Sequence, residues 1–238
     1  GETHDGNRQR IADTGSVLEL RPAFGIGIVT ALIRIEGRPM GLIANNPAHL
    51  GGAIDGDAGD KAARFLGLCD AHDLPVLSLI DTPGFMVGPE AERTAQVRRV
   101  CRMFTTGANI TVPFFAVVLR KGYGLGAQAM AAGSFHAPLF TIAWPTGEFG
   151  GMGLEGAVRL GYRSELAAIA DPAEREALYR RHLDNLYARG RATNMASVLE
   201  IDDVIDPAET RRWILRGLAM AGTARPRKGK KRPNVETW

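Results

Sequence analysis

Residues 112–126 read Val-Pro-Phe-Phe-Ala-Val-Val-Leu-Arg-Lys-Gly-Tyr-Gly-Leu-Gly. Pro113 apart, every position from Val112 to Leu119 is apolar. A run that short and that continuous reads as a strand buried on both faces of a parallel sheet. Arg120 and Lys121 end the apolar run, Gly122, Gly124 and Gly126 form a turn, and a helix is expected at 127–132. Strand, glycine turn and helix in that order make a βα unit, and repeated βα units require right-handed crossovers and a mostly parallel sheet.

The unit recurs on both sides. Residues 75–80 read as a buried strand, followed by the loop Asp81-Thr-Pro-Gly-Phe85 and a helix at 90–106. Residues 139–144 read as a strand, followed by a loop at 145–152 and a short helix at 153–160. Upstream, 27–36 and 39–45 read as two strands joined at the turn dipeptide Glu36-Gly37. A Gly-rich loop at 46–59 then leads to a helix at 60–73, on which Ala62, Phe65, Leu66 and Cys69 share one face. Helices are also expected at 7–13, 171–189 and 207–221, the second of these N-capped by Asp171 with Pro172 at its first position.

The 238 residues suit one large domain or two small ones. With 45% hydrophobic and 23% charged residues, fibrous and disordered classes are excluded. No apolar run reaches the 18 or so residues of a membrane-spanning helix, so no membrane partner is expected. Cys69 and Cys101 share no CxxC or Cys/His spacing, which argues against a disulfide framework or zinc site and suits a reducing, cytoplasmic setting. The net charge of +3 comes from the tail, because residues 225–232 carry six positive charges, and removing those six leaves −3. No nucleic-acid partner is therefore expected. The tail reads as a solvated, mobile terminus, with contact to phosphates or a partner subunit as the alternative. The chain opens at Gly1 without an initiator Met or a leader pattern. The numbering is therefore expected to start inside a longer polypeptide or after a removed leader.

Three loops follow strand C-termini, at 81–88, 121–126 and 145–153, the edge where open α/β sheets bind ligands. The middle loop offers unpaired N–H groups at a helix start. Its glycines sit one position off the dinucleotide pattern, and no strand-ending acid follows about 20 residues on. The amides of Leu125 and Gly126 are the best placed for an oxyanion hole, where each donor is worth about 3–4 kcal/mol; a tight turn that merely packs helix on strand is the alternative. Side-chain chemistry is thin. The five histidines form no triad or metal-spaced set, and Glu148 and Glu155 flank a glycine loop with nothing to pair them as acid and base. Asp81 reads as a turn residue bonding local amides, or else as a general base. Chemistry that relies on amides more than on side chains is favoured.

At these residues the sequence resembles the carboxyltransferase component of biotin-dependent acyl-CoA carboxylases. The resemblance runs from about Leu18 to the C-terminus. Its segments are Ala44-Asn-Asn-Pro47, Asp60-Lys-Ala-Ala-Arg-Phe65, Asp81-Thr-Pro-Gly-Phe85, Leu119-Arg-Lys-Gly-Tyr-Gly124, Ala143-Trp-Pro-Thr146 and Met152-Gly-Leu-Glu-Gly-Ala157. Tyr123 to Gln128 and the closing Thr237-Trp238 look most like the single-chain, multidomain long-chain enzymes.

The resemblance implies an α/β fold of the crotonase-like ββα superhelix type and only the C-terminal, biotin-side half of a carboxyltransferase, with half the active site missing. Residues 18–224 would be that domain, 1–17 a linker or helix from the preceding half, and 225–238 the basic tail. The Leu125 and Gly126 amides would stabilise the ureido oxygen of biotin, and the Phe85 carbonyl, in the loop containing Gly84, would accept its N–H. Tyr123 and Gly124 would complete the cofactor contacts, and Gln128 would touch substrate. Carboxybiotin would release CO2, the biotin anion would take the acyl α-proton, and the enolate would attack CO2, with no metal in this domain. Gln128 replaces an acid, and Leu125 a glycine, of the short-chain enzymes, so short-acyl specificity does not carry over. Implied partners are the N-terminal carboxyltransferase half, the biotin carboxyl carrier and biotin carboxylase domains, and further copies in a homo-oligomer. A biotin-dependent decarboxylase subunit, another crotonase-fold CoA enzyme and a non-catalytic module that docks the carrier are the alternatives.

Overall fold

Glu36 and Gly37 both adopt positive φ, 49° and 76°, the left-handed pair that a two-residue hairpin turn requires. The Asp13 carboxylate accepts both turn N–H groups, at 2.9 and 2.8 Å. The turn joins β2 and β3 in a computed structural model that describes residues 11–222, 228–232 and 235. In chain order the strands are β1 (Leu18–Leu20), β2 (Ile28–Ile35), β3 (Arg38–Asn45), β4 (Val76–Thr82), β5 (Phe114–Tyr123), β6 (Phe140–Ala143), β7 (Glu148–Gly150) and β8 (Asp203–Val204). They form one sheet in the order β1-β2-β3-β4-β5-β6-β8, with β7 added to the end of β5. The first three strands are antiparallel and the rest parallel.

The helices are α1 (Gly56–Ala71), α2 (Pro89–Arg93), α3 (Gln96–Asn109), α4 (Gly124–Met130), α5 (Leu154–Gly161), α6 (Arg163–Ala168), α7 (Pro172–Arg189), α8 (Ala192–Ser197) and α9 (Thr210–Met220). Side chains alternate across the sheet, so each strand feeds two cores. Ile43, Ile80 and Val118 pack with Ala62, Leu66 and Met103 of α1 and α3, while Leu42, Leu77 and Val117 pack with Ile214 of α9. Burying both faces explains the continuous apolar run of β5 and the largely apolar β4, in which only Ser78 interrupts Val76–Ile80.

Several expectations change. The first long helix begins at Gly56 rather than residue 60, because Asp55 is its cap and accepts the Ala58 N–H at 2.8 Å. Asp60 is instead buried in the helix, where it receives Arg99 and Arg102 at 2.7 and 2.8 Å. The helix expected at 90–106 is broken into α2 and α3 at Ala95, whose φ is 56°. β5 runs on to Tyr123 and α4 starts at Gly124 rather than residue 127, because the positive φ of Gly124 turns the chain directly from strand into helix. The 145–152 loop contains β7, since Lys121–Tyr123 pairs with Glu148–Gly150. The short helices α6 and α8 carry no strong local signal. Asp171 caps α7 as expected, accepting the Ala173 N–H at 3.0 Å. The helix expected at 7–13 and the Thr237-Trp238 ending lie largely outside the described residues.

The tail also departs from expectation. Lys231 pairs with Asp70 at 2.8 Å and Asp73 at 3.2 Å, and Arg232 donates to Asp70 at 2.6 Å and to the Asn109 carbonyl at 3.1 Å. This part of the segment is docked because Asp70, at the end of α1, is buried and attracts it. Burial alone would push the Asp70 carboxyl up, but Lys231, the Thr111 N–H and Arg232 outweigh that and hold it below its ordinary value. A carboxyl lowered in the fold stabilises fully above its unfolded value of about 3.9, and that contribution is lost as pH falls through the folded value. Changing Lys231 and Arg232 together to Ala should cost about 3 kcal/mol at pH 7, the low end for breaking a buried pair because both cations are partly exposed. Urea midpoints should show that deficit shrinking below about pH 4.

Candidate functional site

Three strand ends meet at Asp81. The Asn45 Oδ1 at the end of β3 accepts the Asp81 N–H at 3.0 Å. The Asp81 carboxylate reaches across to β5, accepting from Arg120 at 3.1 and 3.3 Å and from the Lys121 N–H at 3.2 Å. Its side chain is 6% exposed. Asp81 is therefore neither a base open to substrate nor the residue that bonds the turn's own amides. Thr82 does that, its hydroxyl accepting the Gly84 N–H at 3.1 Å and donating to the Gly84 carbonyl at 3.2 Å. The β4–β5 register shifts between Ile80 and Thr82, so the chain leaves β4 irregularly and enters the Gly84–Phe85 loop.

That loop bridges to Ile54, which donates to the Gly84 carbonyl at 3.0 Å and accepts the Met86 N–H at 2.9 Å. The bridge uses the groups on either side of Phe85 and leaves its carbonyl out. The Phe85 ring meets the edge of Phe104, centroids 6.2 Å apart. Gly84 takes φ +120°, a conformation that side chains rarely adopt.

The turn after β5 is pressed against this loop. A Cβ on Gly126 would lie 2.7–2.9 Å from the Gly84 and Phe85 backbone, and one on Gly124, whose φ is +60°, would lie 2.9 Å from the Gly151 carbonyl. Only glycine fits at either position. Gly124, Leu125 and Gly126 form the first turn of α4, whose N–H groups have no partner within the helix. Leu125 is exposed, Gly126 is buried and Tyr123 is 3% exposed.

The structure thus brings Gly84, Phe85, Gly124, Leu125 and Gly126 together. It turns the Tyr123 phenol inward, where it donates to Glu148 Oε2 at 2.8 Å. Burial, with the Glu148 carboxylate beside it, pushes that phenol well above its usual range. Tyr187 donates to Glu155 at 2.9 Å and is pushed up to about 12, by burial first and Glu155 second. The two glutamates left unpaired by sequence are each held by a tyrosine. Behind the turn lies a largely apolar cleft of about 460 Å³, lined in part by Gly124, Gln128, Phe135, Phe149, Leu154 and Met195. Among the described residues no group of three or more His, Cys, Asp and Glu side chains is arranged to hold a metal, and no helix is long and apolar enough to cross a membrane. Sequence reasoning missed Arg120 as the partner of Asp81; its signal was a basic pair placed directly behind an apolar strand.

The chain matches the carboxyl transferase domain over residues 7–235 and belongs to that family. It is 38% identical over 223 residues to the methylmalonyl-CoA carboxyltransferase 12S subunit of Propionibacterium freudenreichii subsp. shermanii, covering 91% of this chain and 41% of that protein. A solved transcarboxylase 12S hexamer with methylmalonyl-CoA bound superimposes with a TM-score of 0.84 at 33% identity, over 99% of this chain and 44% of that one. A single-chain, multi-domain long-chain acyl-CoA carboxylase superimposes with a TM-score of 0.79 at 63% identity, over 87% of this chain and 20% of that one. The chain therefore spans less than half the length of these relatives, and its fold is the crotonase-like one of the carboxyltransferases.

The glycine contacts make a direct prediction. Gly126→Ala should cost about 1–3 kcal/mol, since its Cβ meets backbone that cannot retreat. Gly151→Ala, where nothing lies within 4 Å, should change urea stability by no more than about 0.5 kcal/mol.

Proposed function

We propose that this chain is the biotin-side half of a carboxyltransferase, moving a carboxyl group between the biotin of a carrier domain and the α-carbon of an acyl-CoA. The observation that carries this reading is the juxtaposition of the first turn of α4 with the Gly84–Phe85 loop, in a chain of the carboxyl transferase family. The group fits the residues present, because Gly126 packs on the Gly84–Phe85 backbone and so sets first-turn N–H donors of α4 beside a Phe85 carbonyl that the Ile54 bridge leaves out, the donor and acceptor types that a cyclic urea needs. The Leu125 and Gly126 N–H groups would hold the ureido oxygen and the Phe85 carbonyl the ureido N–H. When bound, biotin would supply the transferable carboxyl group and the base.

The chain's own part is then positioning and charge stabilisation by amides that need no reorganisation. Asp81, Glu148 and Glu155 are each committed to a partner, and the two tyrosines stay protonated at neutral pH, so these groups hold shape rather than move protons. The apolar cleft beside Gln128 suits an acyl chain, and the likeness to a long-chain carboxylase supports a long one. Residues 18–224 form the domain we assign to this role. Its partners would be the N-terminal carboxyltransferase half, a biotin carboxyl carrier, a biotin carboxylase and further copies of itself, consistent with the multi-domain and hexameric relatives.

Leu125→Pro tests the amide role, because it removes one N–H from a first helical turn while its ring sits in solvent. In the complete enzyme the rate should fall by about 10²–10³ with stability nearly kept; an unchanged rate would contradict the assignment. Rates with acyl-CoAs of increasing length should show kcat/KM for palmitoyl-CoA exceeding that for propionyl-CoA by about tenfold or more.

A further inference from the structure

We propose that Asp81 is a positioning residue for the biotin-side pocket: its buried carboxylate, by holding Arg120 and the Lys121 N–H, fixes the spacing between the Gly84–Phe85 loop and the Leu125–Gly126 amides. The proposal rests on the function assigned above and names a group outside the contacts that function requires. Asp81 lies three residues before Gly84, and Arg120 and Lys121 lie four to five residues before Leu125. Its side chain links β4 to β5 just ahead of the two loops, at the point where their register slips between Ile80 and Thr82. Asn45 ties the same residue to β3 through its backbone, so Asp81 is anchored on one side and reaches out on the other.

Donor and acceptor chemistry makes the link specific. The carboxylate faces three N–H donors from β5, two on the Arg120 guanidinium and one on the Lys121 backbone. Asn at position 81 keeps the shape but turns an NH2 toward donors, so the loops lose their spacing while the core is unaltered. The Arg120 side chain is 51% exposed, so Arg120→Gln removes the cation without opening a cavity. It takes the Arg120 cation away from the buried Asp81 carboxylate. Arg120→Lys returns the charge through a single ammonium in place of the fork.

Two measurements on the complete enzyme test this. The first is amide hydrogen exchange without any ligand. Asp81→Asn and Arg120→Gln should raise exchange at 82–86 and 122–127 at least tenfold and leave α7 unchanged. The second is kinetics with biocytin as the carboxyl acceptor and the carboxylated CoA thioester as donor. The KM for biocytin should rise about tenfold in both variants and return to within threefold of wild type in Arg120→Lys, with the KM for the CoA thioester moving less than twofold. If Asp81→Asn does not fold, Arg120→Gln carries both readouts. Unchanged exchange with an unchanged biocytin KM would overturn the positioning role while leaving the assigned function intact, as would both KM values rising together. A wild-type enzyme that does not use biocytin at all would overturn the assigned function, and the role of Asp81 with it.

Discussion

The first turn of α4 and the Gly84–Phe85 loop run backbone against backbone, with Gly126 so close that a single methyl group would fall within 2.7–2.9 Å of its neighbour. Much of the surrounding structure serves this contact. β4 and β5 must end side by side to deliver the two loops, and their apolar stretches, buried on both sheet faces, hold them in place. β7 must pair with Lys121–Tyr123 so that Gly151 closes on the far side of Gly124. The Thr82 hydroxyl and the Ile54 bridge then hold the loop in its one conformation.

The division of labour follows from what lies around that contact. Three acidic side chains near it are engaged: Asp81 by Arg120, Glu148 by Tyr123 and Glu155 by Tyr187. Hydrogen-bonded carboxylates stiffen the frame, and in the proposed role the first-turn amides of α4 would meet developing negative charge. Amides fixed by packing cost little to reorganise during a reaction. A domain of this kind suits chemistry in which the cofactor brings its own base.

Local signals carried much of this into the sequence. The apolar run 112–119, the Glu36-Gly37 turn and the Asp171-Pro172 cap each act within a few residues; the turn and the cap are found where their patterns place them, and the run supplies most of a strand that continues to Tyr123. What stayed hidden depends on partners far along the chain. Nothing near Glu148 announces a strand, because β7 exists only by pairing with the end of β5. The helix expected from residue 60 starts at Gly56, capped by Asp55, and Asp60 is claimed by Arg99 and Arg102 from another helix. Asp81 looked like a turn residue until Arg120 came within reach across the sheet, and the tail looked free until Asp70 was found to hold it. In the site, the glycine spacing pointed to usable amides, but only the fold shows that Gly84 and Phe85 lie against them.

A structure of the assembled enzyme with biocytin bound tests the central claim most directly. The ureido oxygen should lie within hydrogen-bond reach, about 2.7–3.2 Å, of the Leu125 and Gly126 nitrogens, with a ring N–H on the Phe85 carbonyl. Biocytin seated elsewhere, with those amides facing solvent or other protein groups, would contradict the account.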